Sequence, residues 1–449
     1  MATMNSSGLG ILKKQQKPQH TESFDDKMKQ LSKKIIIVLL CFSATVIASA
    51  ILFLLFWQQM PTQISYKQAN LSHAVGAVAI GDMTAGKEKK RDGFIVLLNN
   101  DGTSQTITTS AIESPNILWN TDGLYFVDAK FDYFLAQKSN MRIAIKHHKK
   151  LPAAQAGIFE NNQHEVISVL DHGFTRTRKN QLEFNSITLG KPRNTDIMQS
   201  RIYDVSSACE SGTYTISPSD NGTNSFNGTN GFVIKKLQDS IPIKHILKNS
   251  ETTVHSFSTI GNDTAPCIRN TIISIGDTTE YKKDDPEFTF TTYGINRWNT
   301  QSGKFDFIPL TLQNKRIAYN YGEKHDFENI SYGNRTMLND RELLALDQGT
   351  GALYKINTIT GKTQITFTIP VNTSSKFNPK RYWMQTTKNA IAILDNANGE
   401  KTPQSTLYFL NKKNFKLQQT VHFDNTTSNL LAGKVDGCHF SDFAINPQM

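Results

Sequence analysis

The sequence lacks several short motifs that mark redox, nucleophilic or metal chemistry. It has four cysteines but no C-x-x-C pair, so neither a thioredoxin-type redox motif nor a zinc ribbon has support. It has no G-x-S-x-G turn, on which many hydrolases carry their nucleophilic serine. His164-Glu165 lacks the second histidine of the helical zinc motif H-E-x-x-H. We therefore predict no catalytic, cofactor-binding or metal-binding residue from linear motifs.

A nucleotide-binding loop is also missing, although Gly361-Lys362-Thr363 matches the end of one. A P-loop needs another glycine five positions before the glycine of that tripeptide, because its backbone wraps around the phosphates. This chain has Ile356 there, inside an alternating strand pattern. The residues after Thr363 also alternate as in a strand, where a P-loop would begin a helix. We interpret the tripeptide as a hairpin turn.

Adjacent histidines and acidic turns are the remaining candidates for metal ligands. His147 and His148 would point to opposite faces of a strand and are flanked by lysines, so we expect a solvated loop. The acidic turns at 99–102 and 395–400 do not have the ligand spacing of a calcium-binding EF-hand. We expect both to be ordinary turns.

One stretch, from Ile35 to Trp57, lacks charge, proline and glycine altogether. As a helix of about 1.5 Å per residue it would extend roughly 34 Å, enough to cross a bilayer core of about 30 Å. Ala48-Ser49-Ala50 also has the small residues of a signal-peptide cleavage site. Cleavage there would leave a strongly apolar N-terminus, so we favour an uncleaved signal anchor that contacts membrane lipid through residues 35–57.

The distribution of charge predicts how this span is oriented. Four lysines lie just before it, at positions 27, 29, 33 and 34, and the next basic residue after it is Lys67. The positive-inside rule therefore places residues 1–34 in the cytoplasm, as a disordered basic tail, and the remainder outside the cell membrane. The later basic residues are scattered and face the wrong compartment, so we predict no nucleic-acid partner.

Three cysteines follow the span, in a compartment where disulfides persist. Cys209, Cys267 and Cys438 allow three single pairings. We prefer Cys209 with Cys267, because both lie in polar, loop-like sequence.

The sequence changes in character after the span. We assign residues 58–92 to a stalk, because they are small and weakly apolar and end in a basic cluster. From 93 to 449, short runs rich in Ile, Val, Phe, Tyr and Thr alternate with turns rich in Asn, Asp and Gly. This pattern is typical of strands and hairpins, so we predict an all-β extracytoplasmic domain.

A weak repeat suggests how these strands are arranged. Tyr293–Asn296, Tyr354–Asn357 and Tyr408–Asn411 share an aromatic residue, an apolar residue and an asparagine before a turn, with asparagine spacings of 61 and 54 residues. Four strands per 40–60 residues is the period of a β-propeller blade, which predicts about seven blades, with six or eight also possible. One or two β-sandwiches would show the same strand texture.

The stretch LDQGTGALYKINTITGK, from Leu346 to Lys362, resembles blades of quinoprotein-like propellers, and the resemblance extends mainly over residues 288–421. It implies a propeller fold. It does not imply a quinone cofactor, since the tryptophan that follows Thr-Gly-Lys in such enzymes is replaced by Gln364-Ile365. We predict no cofactor.

The predicted function is that of a membrane-anchored binding or scaffold protein with an envelope or cell-surface protein as partner. The alternative is a cell-surface glycan hydrolase or lyase with its site residues gathered at the propeller channel. We incline away from an enzyme.

Overall fold

We describe the protein from a computed structural model, which divides into two compact units, Met1–Gln58 and Gln59–Met449. The structure describes residues 24–57, 60–82, 92–136, 139–145, 154–176, 181–189, 194–199, 204–218, 231–237, 245–248, 253–255, 264–282, 285–320, 335–370, 381–435 and 438–449.

The first unit contains helix α1 (Phe24–Trp57). A chain rich in Leu, Ile and Ala without proline or glycine favours a helix, although it has no polar face to direct one side toward a core. Within it, Leu31–Ser49 is long and apolar enough to cross a membrane, and none of this stretch is buried in the protein. Signal sequences share these properties. The helix is therefore one candidate membrane span.

The strands of the second unit form seven sheets. Three consecutive sheets, which begin at residue 117, each contain four antiparallel strands in sequence order, and we call them blades 1 to 3. Blade 1 contains β5 (Ile117–Trp119), β6 (Leu124–Val127), β7 (Phe131–Leu135) and β8 (Asn140–Ala144); blade 2 contains β9 (Ala154–Glu160), β10 (Val166–Arg176), β11 (Gln181–Leu189) and β12 (Asn194–Gln199); blade 3 contains β13 (Asp204–Cys209), β14 (Gly212–Pro218), β15 (Gly231–Lys236) and β16 (His245–Lys248).

Blades 4 to 6 follow the same plan, with short additional strands at the edges of blades 4 and 5. Blade 4 contains β17 (Thr253–His255), β18 (Cys267–Ile268), β19 (Thr271–Lys282), β20 (Asp285–Asn299), β21 (Phe305–Pro309) and β24 (Ala318–Asn320); blade 5 contains β22 (Thr311–Leu312), β23 (Lys315–Arg316), β25 (Arg335–Asn339), β26 (Glu342–Leu346), β27 (Ala352–Asn357) and β28 (Lys362–Thr368); blade 6 contains β29 (Tyr382–Thr386), β30 (Ala390–Asp395), β31 (Thr406–Asn411) and β32 (Leu417–His422).

Blade 7 joins the two ends of the unit. It contains β1 (Thr62–Ile64), β2 (Ala74–Asp82), β3 (Asp92–Asn99), β4 (Ser104–Ser110) and β33 (Cys438–Ile445), and helix α2 (Asn425–Leu431) precedes its last strand. Strand β33 pairs antiparallel with β2, so Phe443 lies opposite Val78. The last strand of the chain, β33, thus forms one edge of a sheet whose other strands come from the start of the unit.

Apolar clusters connect each blade to the next around a closed ring. An isolated four-stranded sheet cannot cover both of its faces, and a neighbouring blade on each side removes them from water. In order from blades 1–2 to blades 7–1, the clusters contain Tyr125 and Ile158; Ile167 and Val205; Ile216 and Ile272; Ile295 and Leu343; Leu346 and Ile393; Leu394 and Phe443; Ile95 and Phe126. The fold is a seven-bladed β-propeller, which confirms the predicted fold class.

The structure corrects one part of the predicted organisation. The stretch 58–92 was assigned to a stalk, but β2 lies within it and pairs with both β3 and β33. Ala77 and Ala79 are fully buried there. Small residues suit this strand because it lies between two others, and Gly76 faces the ring of Phe443 where a Cβ would come within 3.0 Å.

Candidate functional site

The first strands of the blades surround the propeller axis. Strands β29, β33, β5 and β9, from blades 6, 7, 1 and 2, contact one another in that order. A strand at the edge of a sheet exposes N–H groups that need acceptors. The N–H of Ile117 donates to Asp442 Oδ2 at 2.9 Å, and the N–H of Asn116 donates to Gln155 Oε1 at 2.6 Å. Side chains of neighbouring blades therefore satisfy the inner edges and fix their spacing.

A cavity of about 270 Å³ opens where these first strands end. We call it the channel mouth. Its lining comes from blades 1, 2, 6 and 7 and from a residue just before β18 in blade 4. Residues from so many blades lie close together because the cavity is on the axis of the ring. The lining residues are Ile117, Leu118, Trp119, Ile158, Phe159, Glu160, Thr264, Gln385, Thr386, Ala444, Ile445 and Pro447. Eight of these twelve residues are apolar, but most of the eight are buried, so polar groups contribute more of the exposed wall than apolar groups do.

Glu160 is the carboxylate that lines the channel mouth within the described residues. Its Oε2 accepts a hydrogen bond from Asn120 Nδ2 at 2.9 Å, and its Oε1 lies 2.5 Å from His164 Nδ1. The Glu160 side chain is 24% exposed and that of His164 is 83% exposed. The carboxylate is thus oriented by an amide on one side and an imidazole on the other, at the rim of the channel mouth.

A second depression of about 290 Å³ continues from the channel mouth across Trp119 and Pro447. Its walls are the β5–β6 turn, 120–123, and the segment 446–448 after β33. Asn120 Oδ1 accepts the N–H of Asp122 at 3.0 Å and that of Gly123 at 3.3 Å, which holds the turn. Trp119 is half-buried between the two cavities, so one indole contributes to both.

The structure joins Cys209 and Cys267 in a disulfide with an S–S distance of 2.03 Å, the pairing preferred from the sequence. Cys209 ends β13 in blade 3 and Cys267 begins β18 in blade 4, so the bond links two neighbouring blades. Cys438, half-buried at the start of β33, is not part of a disulfide. His147 and His148 lie outside the described residues. Within the described part of the chain, no group of three or more His, Cys, Asp or Glu side chains could hold a metal ion.

The acidic turn at 395–400 binds a buried arginine, which was not predicted from the sequence. Arg381 donates from Nε to Asp395 Oδ1 at 2.7 Å, from Nη2 to Asp395 Oδ2 at 2.9 Å, and from Nη1 to Glu400 Oε1 at 2.7 Å. The two carboxylates thus hold a guanidinium. Burial by itself lowers the pKa of Arg381, but the hydrogen bonds and charge of Asp395 outweigh this effect and raise it. The sequence offered no signal for the pairing, because the arginine lies outside the turn.

Gly361-Lys362-Thr363 is the turn between β27 and β28. Asn357 Oδ1 accepts the N–H groups of Ile359 and Thr360, both at 3.0 Å, and Gly361 has φ +71°. Asn411 forms the same turn in blade 6. In blade 4 the equivalent residue is Asn299, whose Oδ1 accepts two N–H groups of its turn, so the repeat alignment through Asn296 was wrong by three residues.

The chain is similar to solved structures only at low sequence identity. No protein-family model and no curated protein matches the sequence. Among solved structures, the β-propeller domain of the Trilobed protease from Pyrococcus furiosus matches at 10% identity, over 79% of this chain and 94% of that chain, with a TM-score of 0.39. The polysaccharide lyase Uly1 matches at 10% identity, over 74% and 85%, with a TM-score of 0.39. The Neurospora crassa Pan2 WD40 domain matches at 8% identity, over 72% and 86%, with a TM-score of 0.36.

None of these similarities indicates a function. The fold rests on the seven sheets and the clusters between them. The quinoprotein-like repeat is not confirmed.

Proposed function

We propose that this chain is a membrane-anchored binding protein that holds an envelope or cell-surface protein at the channel mouth of its propeller. The observation that carries the proposal is the cavity itself. Residues of several blades line a cavity of about 270 Å³, with the half-buried Trp119 in its wall and one oriented carboxylate, Glu160, at its rim.

The chemistry of the lining indicates what the partner inserts. The partly exposed apolar residues of the wall, Leu118, Trp119 and Pro447, suit an aliphatic or aromatic anchor side chain, since anchors of this kind contribute most of the affinity at protein interfaces. Glu160 suits a cationic or hydrogen-bond-donating group next to that anchor. A partner segment with an apolar residue beside a lysine or arginine combines both.

Anchoring is the second part of the proposal. The exposed apolar stretch Leu31–Ser49 supports a retained membrane span, and the lysines before it support a cytoplasmic N-terminus. This orientation would place the propeller on the outer side of the cell membrane, where its partner would be another envelope or cell-surface protein.

The test is co-purification of the full chain, in mild detergent, from membranes of its native cell. We expect a protein partner that is lost with Trp119→Ala and with Thr386→Lys, which places a long cation in the channel mouth. Ile359→Ala is the control, because Ile359 is an exposed side chain in a turn of blade 5. Retention of the partner by both channel-mouth variants, or absence of any partner, would contradict the proposal.

A second candidate function is favoured by the contact between Glu160 and His164. A carboxylate beside an imidazole is an arrangement used in general acid–base catalysis, which a glycan hydrolase or lyase would need. Turnover of acidic or neutral polysaccharides by the full chain, abolished by Glu160→Gln, would favour this function. Unchanged turnover in Glu160→Gln would exclude the channel mouth as its site.

A further inference from the structure

A cavity of about 610 Å³ lies between blades 5 and 6 rather than on the axis. We call it the lysine cleft. Its walls are the β25–β26 turn and part of β27 in blade 5, and the β29–β30 and β31–β32 turns in blade 6. The lining residues are Leu338, Asn339, Glu342, Lys355, Lys388, Asn389, Asn411, Lys412, Lys413 and Phe415. It opens on the same face as the channel mouth, because Thr386 lines the mouth and Lys388 lines the cleft.

Four lysines face one carboxylate in this cleft, and that carboxylate is already engaged. Glu342 lies 3.1 Å from Lys355 Nζ and accepts a hydrogen bond from Asn339 Nδ2 at 2.7 Å. The hydrogen bond from Asn339, followed by the one from Lys355, holds the pKa of Glu342 below its ordinary value. Three cationic side chains, Lys388, Lys412 and Lys413, remain without a carboxylate partner among the described residues.

A hydrogen bond to the backbone holds the side chain of Lys412 in this cleft. Its Nζ donates to the carbonyl of Thr387 at 3.2 Å, which uses one of its three N–H groups and leaves two for another acceptor. Burial lowers the pKa of Lys412, so the ammonium is partly shielded from water. A bound anion would restore the lost solvation. A cleft with an excess of positive charge also concentrates anions within it.

The remaining lining residues suggest which kind of anion fits. Phe415 and Leu338 pack on the apolar cluster between blades 5 and 6 and form an apolar floor. Asn389 and Asn411 lie at the rim, and the side-chain nitrogen of each has no hydrogen-bond partner within the described residues. A sugar ring presents apolar faces to such a floor and hydroxyl groups to such amides, and an acidic substituent would meet the lysines. The volume falls within the range of about 300–1,000 Å³ found for small-ligand sites.

We infer that the lysine cleft is a binding site for an acidic oligosaccharide, one whose sugars carry carboxylate or sulfate groups. The site does not depend on the channel mouth, and it forms no covalent bond with its ligand. It would hold the protein against an acidic glycan while the channel mouth remains open.

The experiment measures binding to the full chain in neutral detergent micelles at low salt, by calorimetry. The probes are a uronic-acid tetrasaccharide, a sulfated hexasaccharide, an uncharged tetrasaccharide, inorganic phosphate and an oligoglutamate peptide. We expect at least one acidic saccharide to bind more tightly than every other probe, with an affinity that falls as salt is raised. Lys412→Gln is expected to weaken binding by roughly tenfold or more, because it removes a charge-assisted hydrogen bond.

The controls distinguish the effect of lysines in the cleft from the effect of positive charge elsewhere on the protein. Lys388 is exposed, so Lys388→Gln is expected to leave the fold intact and to weaken binding of the acidic saccharide. Lys388→Arg keeps the charge and is expected to retain binding. Lys401→Gln removes an exposed charge from the opposite face of blade 6 and is expected to leave binding unchanged. Equal loss in Lys401→Gln, equal affinity for the uncharged tetrasaccharide, or binding of only phosphate or oligoglutamate would overturn the inference.

Discussion

Replacing Arg381 by methionine tests the buried ion pair of blade 6. The Arg381 and Asp395 side chains are 6% and 7% exposed, so neither can recover its hydration when the other is removed. In Arg381→Met, Asp395 loses two hydrogen bonds and its counter-charge while it remains buried. Breaking a pair of this kind typically costs about 3–5 kcal/mol. That is a large share of the roughly 5–15 kcal/mol by which folded proteins are stabilised.

The assay is urea unfolding of the full chain in detergent, followed by tryptophan fluorescence. Trp383 lies two residues from Arg381 and is buried, so it reports on this blade. The control is Arg341→Met, which removes an exposed arginine from a turn of blade 5 and is expected to change stability by less than about 0.5 kcal/mol. In the double variant Arg381→Met/Asp395→Asn, the two losses are expected not to add, because both remove the same contact. A loss below about 1 kcal/mol in Arg381→Met, or full additivity, would refute the reasoning.

Further predictions concern the disulfide, two glycines and a buried tyrosine. Changing Cys209 and Cys267 to serine is expected to lower the free energy of unfolding by about 4 kcal/mol, since the bond closes a loop of 58 residues; an unchanged urea midpoint would contradict this. Gly361→Ala is expected to destabilise the protein more than Gly433→Ala does. Both glycines have positive φ, but a Cβ at Gly361 would lie 2.0 Å from a neighbouring carbonyl oxygen, whereas at Gly433 the nearest such oxygen would lie at 3.5 Å. Burial, and to a lesser extent the charge of Asp128, raises the pKa of Tyr133. Its hydroxyl therefore stays protonated in the folded state, whereas in the unfolded chain it ionises near pH 10. The free energy of unfolding is expected to fall as pH rises above about 10, and to fall less steeply in Tyr133→Phe. Identical pH profiles for the two proteins would contradict this explanation.

The parts of the fold that could be predicted are those set by local chemistry. Asn357 and Gly361 determine a turn within five residues of chain, and the alternating residues on both sides determine the strands. The rejection of a nucleotide loop rested on the same local rules. The spacing between such turns then favoured a propeller.

Strand β2 could not be read from the sequence, because its composition reflects its neighbours. Ala74–Asp82 is rich in alanine and glycine, which local propensity assigns to a loop or stalk. Its small residues are explained by the close approach of β33, a partner more than 350 residues away in the chain. Tertiary packing here overrides propensity.

The channel mouth and the lysine cleft escaped prediction for a related reason. Trp119, Glu160 and Thr386 each end the first strand of a different blade, so no linear motif contains them. The lysines of the cleft lie in turns of two blades and look, in sequence, like ordinary solvated positions. A ring brings together residues whose separation in the chain is a whole blade or more.

Site-specific photo-crosslinking tests the central claim, that the channel mouth holds a protein partner, most directly. A photoreactive phenylalanine derivative replaces Thr386 in the full chain within its native membrane, and a control replaces Leu417, an exposed residue on the outer strand of blade 6. We predict an adduct with one envelope or cell-surface protein from position 386 that is absent from position 417 and is lost when Trp119→Ala is added. No protein adduct from position 386, or the same adducts from both positions, would contradict the claim.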